Sequence, residues 1–216
     1  MFRSTRSVVP EILDTLDACD PEALRSRRDL RWLDWFLGGS GWIVRSVLER
    51  RELAEQGVVE LGAGEGRLCA QLAALLNRRA VTGLDFMARP ADLNTGVGWR
   101  TGDIFQILPE IEGGIVVGSL ILHHFSSEEL ARLGEQFDRF QLVLFSEPLR
   151  SPWSLRLSRL AHPFVGRVTR HDMPVSIRAG FQPGELAGLL GLDKATWKVS
   201  EVSRLSGVLQ FKAWRD

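Results

Sequence analysis

The sequence predicts an α/β protein: one doubly wound, mostly parallel sheet of seven strands, preceded by a helical segment and closed by an antiparallel hairpin. Three observations lead there. Strand-like apolar runs at Val58–Leu61, Ala80–Leu84, Gly98–Thr101, Ile115–Ser119 and Gln141–Ser146 alternate with helical stretches, notably Arg67–Arg78 and Ser127–Phe140. Alternation of this kind requires crossover connections and therefore parallel pairing with helices on both faces. The tail departs from it, because Thr196–Val202 and Gly207–Trp214 follow one another directly through Ser203-Arg204-Leu205-Ser206, which reads as a hairpin with one strand antiparallel to the rest.

The third observation is the start of the chain. Val8 to Cys19 and Pro21 to Leu37 carry helical spacing, and Asp20-Pro21-Glu22 is a cap and first-turn signal. Gly38-Gly39-Ser40-Gly41 breaks this helix and Trp42 to Leu53 reads as the next. With no repeat and no low-complexity linker, residues 1–216 read as a single domain.

Composition narrows the function classes. Apolar residues make up 44% and charged residues 25%, an ordinary globular balance. Twenty-seven basic residues offset twenty-seven acidic ones, so no net field favours nucleic acid or an anionic membrane, which leaves only a local patch. The longest apolar run, Gly114 to Leu122, is too short to span a bilayer, and Pro10, Glu11 and Asp14 interrupt what a signal peptide would need after its basic start. Cys19 and Cys69 are too far apart in sequence to form a redox or metal pair, and the expectation is a reduced, cytoplasmic protein without stable membrane insertion.

The most informative segment is Val58-Val59-Glu60-Leu61-Gly62-Ala63-Gly64-Glu65-Gly66-Arg67-Leu68, an apolar strand running into a turn with glycine at every second position and then a helix. Bare backbone at Gly62 and Gly64 admits a ligand closely and adopts angles that other residues resist. A dinucleotide fingerprint would need glycine at 67, where arginine stands, and Glu60 would repel a pyrophosphate. A carboxylate there suits a cationic ligand instead.

This [D/E]-x-G-x-G-x-G pattern after the first strand resembles the first motif of class I S-adenosylmethionine-dependent methyltransferases, a family with a Rossmann-like sheet. The resemblance implies that Gly62, Ala63, Gly64 and Gly66 pass under the methionine part of S-adenosylmethionine, and that Glu60 holds its ammonium. Asp85, with Phe86 after it, ends the second strand where the family binds ribose; a turn-capping aspartate is the competing reading. Asp103 and Ile104 follow the third strand where the family binds adenine. Ser119 and Leu120 fall at the carboxyl end of the fourth strand, beside the cofactor. The Leu120-Ile121-Leu122-His123-His124-Phe125 phrase is similar to the fourth-strand ending of small-molecule members, although Gly113-Gly114 stand where an aspartate is usual. Leu144-Phe145-Ser146-Glu147-Pro148 is likewise similar to the family's fifth-strand ending, so the resemblance covers roughly Val58 to Pro148. On this reading 1–56 is a helical leader, 57–148 the cofactor-binding half, and 149–216 the acceptor side.

Methyl transfer needs alignment, and a base only where the acceptor keeps its proton. Histidine is the natural base near neutral pH. His124, slightly ahead of His123, is one candidate, and His171 is the other, within a polar loop, Arg167 to Arg178, that also offers Arg170, Asp172, Ser176 and Arg178 to an acceptor. Trp153 to Val165 looks like an amphipathic lid over an apolar acceptor, with core packing as the plainer reading. The H-D-x-x-V-S-I-x-x-G-F-x-x-x-E-L phrase is loosely similar to natural-product and lipid-quinone methyltransferases, which implies a phenolic, polyketide or isoprenoid-like acceptor. No metal is expected, because adjacent histidines on a strand face opposite ways and no ligand spacing recurs. The alternatives are an NAD(P)- or flavin-binding oxidoreductase on the same sheet, a non-catalytic partner with this fold, and a nucleic-acid methyltransferase, which the neutral charge disfavours. The sequence leaves the oligomeric state open.

Overall fold

The computed structural model describes residues 5–76 and 81–215. Ala80, Asn77 to Arg78 at the end of the first expected crossover helix, and Met1 to Ser4 lie outside the described residues. The elements run α1 Ile12–Thr15, α2 Pro21–Leu37, α3 Gly39–Leu48, α4 Arg51–Ala54, β1 Val58–Leu61, α5 Arg67–Leu75, β2 Val81–Asp85, β3 Gly98–Thr101 and α6 Ile104–Ile107. They continue with β4 Ile115–Ser119, α7 Ser127–Phe137, β5 Leu142–Pro148, α8 Pro152–Ala161, α9 Arg167–Ala179, α10 Leu186–Leu189, β6 Lys198–Ser203 and β7 Val208–Trp214.

The seven strands form one sheet in the order β3-β2-β1-β4-β5-β7-β6. The first five are parallel, and β7 inserts antiparallel between β5 and β6, as the tail hairpin predicts. β1 and β5 are buried at every position, which explains why they read as continuous apolar runs and not as alternating ones. One face is covered by Leu130, Leu133 and Phe137 of α7, the other by Ile43 and Val47 of α3 with Leu68 and Leu72 of α5. Strand order reverses between β1 and β4, so a crevice opens at their carboxyl ends. No described helix is long and apolar enough to cross a membrane.

Three expectations are corrected. Val8 to Cys19 is helical only over Ile12–Thr15, because long-range bonds fix it: the Asp172 carboxylate accepts the N–H groups of Ile12 and Leu13 at 2.9 and 3.0 Å. The remainder lies as an extended strap across the carboxyl edge of the sheet, pinned by Arg6, whose guanidinium donates to the carbonyls of Ala179, His123 and Phe125. Gly38 alone breaks the next helix, in the left-handed region at φ 73°; Gly39 to Gly41 then belong to α3 rather than to a loop. A side chain on Gly39 would collide with Ser146, so its glycine serves close helix–sheet packing. Finally, Arg167 to Arg178 is helix α9, not a loop, although Pro174 sits inside it. Its N-terminus is anchored by Asp29, which accepts from the Gly166 N–H at 2.7 Å and the Thr169 hydroxyl at 2.9 Å.

Helix α7 carries a capping box between Ser126 and Glu129 and packs Gly134 against the backbone of Leu190. Alanine at 134 gains about 1 kcal/mol in helix propensity, but its methyl would overlap the Leu190 carbonyl. Overpacking costs about 1–3 kcal/mol, so Gly134→Ala is expected to lower the chemical denaturation midpoint; an unchanged or raised midpoint would show that α10 yields freely.

Candidate functional site

The glycine turn closes on itself and on β2. Gly62, Gly64 and Gly66 all lie in the left-handed region, with φ of 65°, 53° and 69°. The Gly64 N–H donates to Asp85 Oδ2 at 2.7 Å, and the Met87 N–H donates to Asp85 Oδ1 at 2.8 Å. Asp85 therefore does cap local backbone, but each of its oxygens keeps a further acceptor lone pair for a ligand. A Cβ on Gly62 would strike Ile121, whereas a Cβ on Gly64 would meet no atom of the described residues within 4 Å. Gly64 faces a cavity.

That cavity, about 750 Å³, is lined by Glu60, the glycine turn with Ala63, Asp85, Phe86, Met87, Ile104, Ser119 and Leu120. All of the sequence-predicted cofactor residues reach it except Gly66, which caps α5 from behind, and Asp103, whose side chain accepts the Phe105 N–H at 2.9 Å. Glu60 is 4% exposed and its Oε2 has no hydrogen-bond partner among the described residues. Burial raises its carboxyl to about 8, opposed by hydrogen bonds with Cys69 and reinforced by the nearby charges of Asp85 and Asp34. An uncompensated acid at the base of a cavity is expensive unless a cation or a donor meets it. Sequence reasoning missed Leu13, Asp14, Leu16 and Ala18, which the strap brings over the same cavity.

Beside β4 the backbone turns sharply. Leu120 takes φ 58°, the left-handed region for a side chain that resists it, held by its N–H to the Ser146 carbonyl at 2.9 Å. The next residues form a single 3-10 turn, Leu122–His124. Glu147, fully buried at the end of β5, accepts the N–H groups of Ile121, Leu122 and His123 at 3.0, 2.8 and 3.3 Å, and meets His123 Nδ1 at 2.9 Å. On the other side of the ring, Nε2 lies 3.5 Å from Glu11 Oε1. Burial alone lowers the His123 pKa, but Glu11 and Glu147 outweigh it and raise it to about 9. With a carboxylate on each side the protonated ring is favoured: Nδ1 meets Glu147 at hydrogen-bond distance and Nε2 faces Glu11 at 3.5 Å, which makes His123 a poorer base than an open imidazole.

The expectation that the two histidines face opposite ways is also corrected. They lie past the strand end, and their rings sit 4.2 Å apart. Ligand atoms of Glu11, His123 and His124 come within 4.8 Å of one another, a grouping invisible in sequence because Glu11 arrives on the strap. Glu11 accepts from the Ser176 hydroxyl and from His123; its own burial pushes its carboxyl up, and these bonds with the two histidine charges bring it below the usual range. His124 is different. It is partly exposed, its Nδ1 stands 3.5 Å from Asp14 Oδ2, and it lines the cavity over the glycine turn and a second one.

The second cavity, about 320 Å³, is lined by Leu33, Phe36, Leu157, Phe164, Met173 and Ile177, among others; its polar groups are serines such as Ser154, Ser158 and Ser176 and, at one end, Glu11, Asp14, His123 and His124. Residues Leu157, Leu160 and Phe164 show that the Trp153 to Val165 stretch does cover an apolar space. The two cavities share Leu13, Asp14, Leu30, Leu120 and His124. Of the acceptor-side candidates only Ser176 lines it. Asp172 is spent on the strap, Arg170 donates to the His162 carbonyl at 2.8 Å, Arg178 reaches the Pro174 carbonyl at 3.4 Å, and His171 is exposed beside Asp172. The helical winding of α9 explains this: it sends Val168, Thr169 and Asp172 inward and His171 out.

Neither a family model nor a curated protein sequence matches the chain. Solved structures do match in shape. The plantazolicin methyltransferase BpumL, in complex with a triazolic desmethylPZN analog and SAH, superposes with a TM-score of 0.68 at 9% identity over 91% of this chain and 92% of that one. Magnesium protoporphyrin IX methyltransferase from Synechocystis PCC 6803, with bound SAH, gives 0.53 at 16% identity over 83% of each chain. The pyocyanin biosynthetic protein PhzM gives 0.62 at 19% identity over 96% of this chain and 62% of its own, so this chain spans about three fifths of that protein. At such identities the likeness carries the fold and nothing finer.

The His123 network makes a linkage prediction. Its folded pKa of about 9 lies above the ordinary 6.5, so its stabilising contribution is full below pH 6.5 and is lost as pH rises through about 9. Unfolding free energy is expected to fall across that window in urea titrations. Glu147→Gln should flatten the slope; an identical slope in both proteins would show that His123 is not charged in the fold.

Proposed function

We propose that this chain, built on the class I methyltransferase fold, transfers a methyl group from S-adenosylmethionine to a small, largely apolar organic acceptor. One observation carries the reading above the others: an acidic cavity over a glycine turn and an apolar cavity meet at Leu120 and His124. A methyltransferase needs such a junction, since its two substrates must approach in line. The residues present fit the cofactor. Glu60 has an unpartnered buried oxygen for an ammonium, Gly64 leaves space that a side chain would occupy, and Ile104 and Phe86 offer apolar surface. When bound, S-adenosylmethionine supplies a methyl carbon activated by a positive sulfur.

The chain's own groups supply the rest. Asp85 accepts ribose hydroxyls while holding the glycine turn to β2. Ser119 and Leu120 border the reacting centre. His124, facing Asp14, takes the proton of a hydroxyl acceptor, and Ser176, whose hydroxyl donates to the neighbouring Glu11, borders the acceptor on the same side. Leu157, Phe164 and Met173 exclude water around it, which suits a phenolic, polyketide or isoprenoid-like molecule. No metal enters this scheme: His123 already meets Glu147 and faces Glu11. The oxidoreductase alternative is disfavoured by the acid lining, since Asp85, Asp34 and Asp14 would repel a pyrophosphate.

Calorimetric titration with S-adenosylhomocysteine and with NADH tests the cofactor. We expect binding of the first only, and Gly64→Val, still folded by circular dichroism, should abolish it. Because Glu60 holds its proton up to about pH 8 in the free protein, meeting an ammonium should discharge it. Titrations near pH 7 in buffers of different ionisation enthalpy should therefore show net proton release. NADH binding alone would end the reading.

His124→Ala should reduce turnover by roughly 10²–10⁴, the usual worth of a general base, with S-adenosylhomocysteine affinity nearly intact. His171→Ala, on an exposed face, should leave turnover unchanged. If His124→Ala slows a confirmed methyl transfer less than about tenfold, no histidine base operates and alignment alone is catalytic.

A further inference from the structure

We propose that the mouth of the apolar cavity docks on an anionic lipid surface, from which an amphiphilic acceptor enters. Two helices that border this mouth are turned inside out. Helix α8 buries Ser154 and Ser158 and leaves Trp153 and Leu160 exposed, Leu160 at 69% and Phe164 in the following turn at 74%. Helix α2 presents the stripe Leu24, Arg28, Trp32 and Phe36, spaced four residues apart, with Trp35 alongside at 78% exposure. A helix of a globular protein ordinarily buries such residues. Single exposed apolar side chains need no explanation, but these share one rim: Trp32, Phe36, Leu160 and Phe164 all line the cavity. The β6–β7 turn joins them, because the Trp153 indole N–H donates to the Leu205 carbonyl at 2.7 Å and Leu205 itself is exposed.

Charge chooses the occupant. The chain is neutral overall, yet residues 151–179 hold Arg156, Arg159, Arg167, Arg170 and Arg178, all exposed, and a single acid, Asp172, which is buried and accepts two backbone N–H groups. Arginines interleaved with exposed tryptophan, leucine and phenylalanine match a bilayer interface, where apolar tips enter the acyl boundary and guanidinium groups stay among anionic headgroups. A second copy docking isologously would set these arginines against their equivalents. Nucleic acid would use the cations but gain nothing from Leu24, Leu160 and Leu205. That the cavity holds the acceptor rests on the function proposed above; the docking itself does not.

Co-sedimentation with vesicles of phosphatidylcholine alone and of phosphatidylcholine with phosphatidylglycerol tests it without turnover. Binding is expected only to the anionic vesicles and should weaken as salt rises. Brominated lipids should quench tryptophan fluorescence in the bound state. Leu160→Asp with Phe164→Asp, and separately Arg156→Glu with Arg159→Glu, should each weaken binding at least about tenfold. These positions are exposed, and retained S-adenosylhomocysteine affinity would confirm that the fold and the cofactor site survive. Absence of binding to anionic vesicles at low salt would overturn the proposal, whatever the methyltransferase result. So would sedimentation velocity showing a dimer that the apolar pair of substitutions dissociates, or equal loss of RNA binding in the arginine pair with no vesicle binding in the parent.

Discussion

A carboxylate with no access to water holds the centre of this molecule together. Burying an ion costs several kcal/mol unless hydrogen bonds replace its hydration. Glu147 meets that demand with three successive backbone N–H groups and one imidazole nitrogen. Three consecutive donors converge on one acceptor only if the chain reverses abruptly, and Leu120 takes a left-handed conformation to do so. The carbonyls of the same turn then point the other way, where Arg6 accepts the role of donor to Leu122, His123 and Phe125 while lying over the Phe181 ring. An anion satisfies one side of the turn and a cation the other. The strap that carries Arg6 also carries Glu11 and Asp14, so the reversal after β4 and the roof of both cavities form one assembly.

This arrangement explains why neighbouring histidines have different chemistry. His123 lies between two carboxylates, neither free to leave, which favour its protonated ring. His124 is one residue further along the 3-10 turn, meets a single partly exposed acid, and opens onto the junction of the cavities. Residue type does not assign the role. The number and burial of the acids around each ring do.

The strands, their order of appearance, the hairpin and the glycine turn were legible because their signals are local: apolar runs, punctuating glycines, and an acid two positions before Gly62. Asp85 and Ile104 were legible by position after strands. What lay beyond sequence was brought together from a distance. Glu147 stood in the phrase Leu144 to Pro148 with nothing nearby to mark it as the partner of residues 121–123. The strap read as a helix because its spacing is helical, but Asp172 and Arg6 take its tertiary bonds elsewhere. Helix α9 was hidden by Pro174, although Val168, Thr169 and Asp172 already carried the spacing of an inward face. Polar density in that stretch suggested an acceptor loop, while most of its groups bind their own chain.

The two cavities differ in a way that bears on substrate selection. The wall around the glycine turn carries Asp14, Asp34, Glu60, Glu65 and Asp85 against Arg27, Arg31 and Arg67, with Arg31 paired to Glu65 at 2.8 Å, so acids outnumber bases there. The wall beyond Leu120 is mostly apolar, with serine hydroxyls and, where the strap meets the 3-10 turn, Glu11, Asp14, His123 and His124. A cationic ligand gains against the acids of the first space, while an apolar ligand gains only in the second, whose carboxylates are gathered beside the histidines. The two spaces thereby favour ligands of different chemistry. His124 and Asp14 stand where both sides end, and their placement follows from Glu147, which fixes the turn, and from the strap, which delivers the acid.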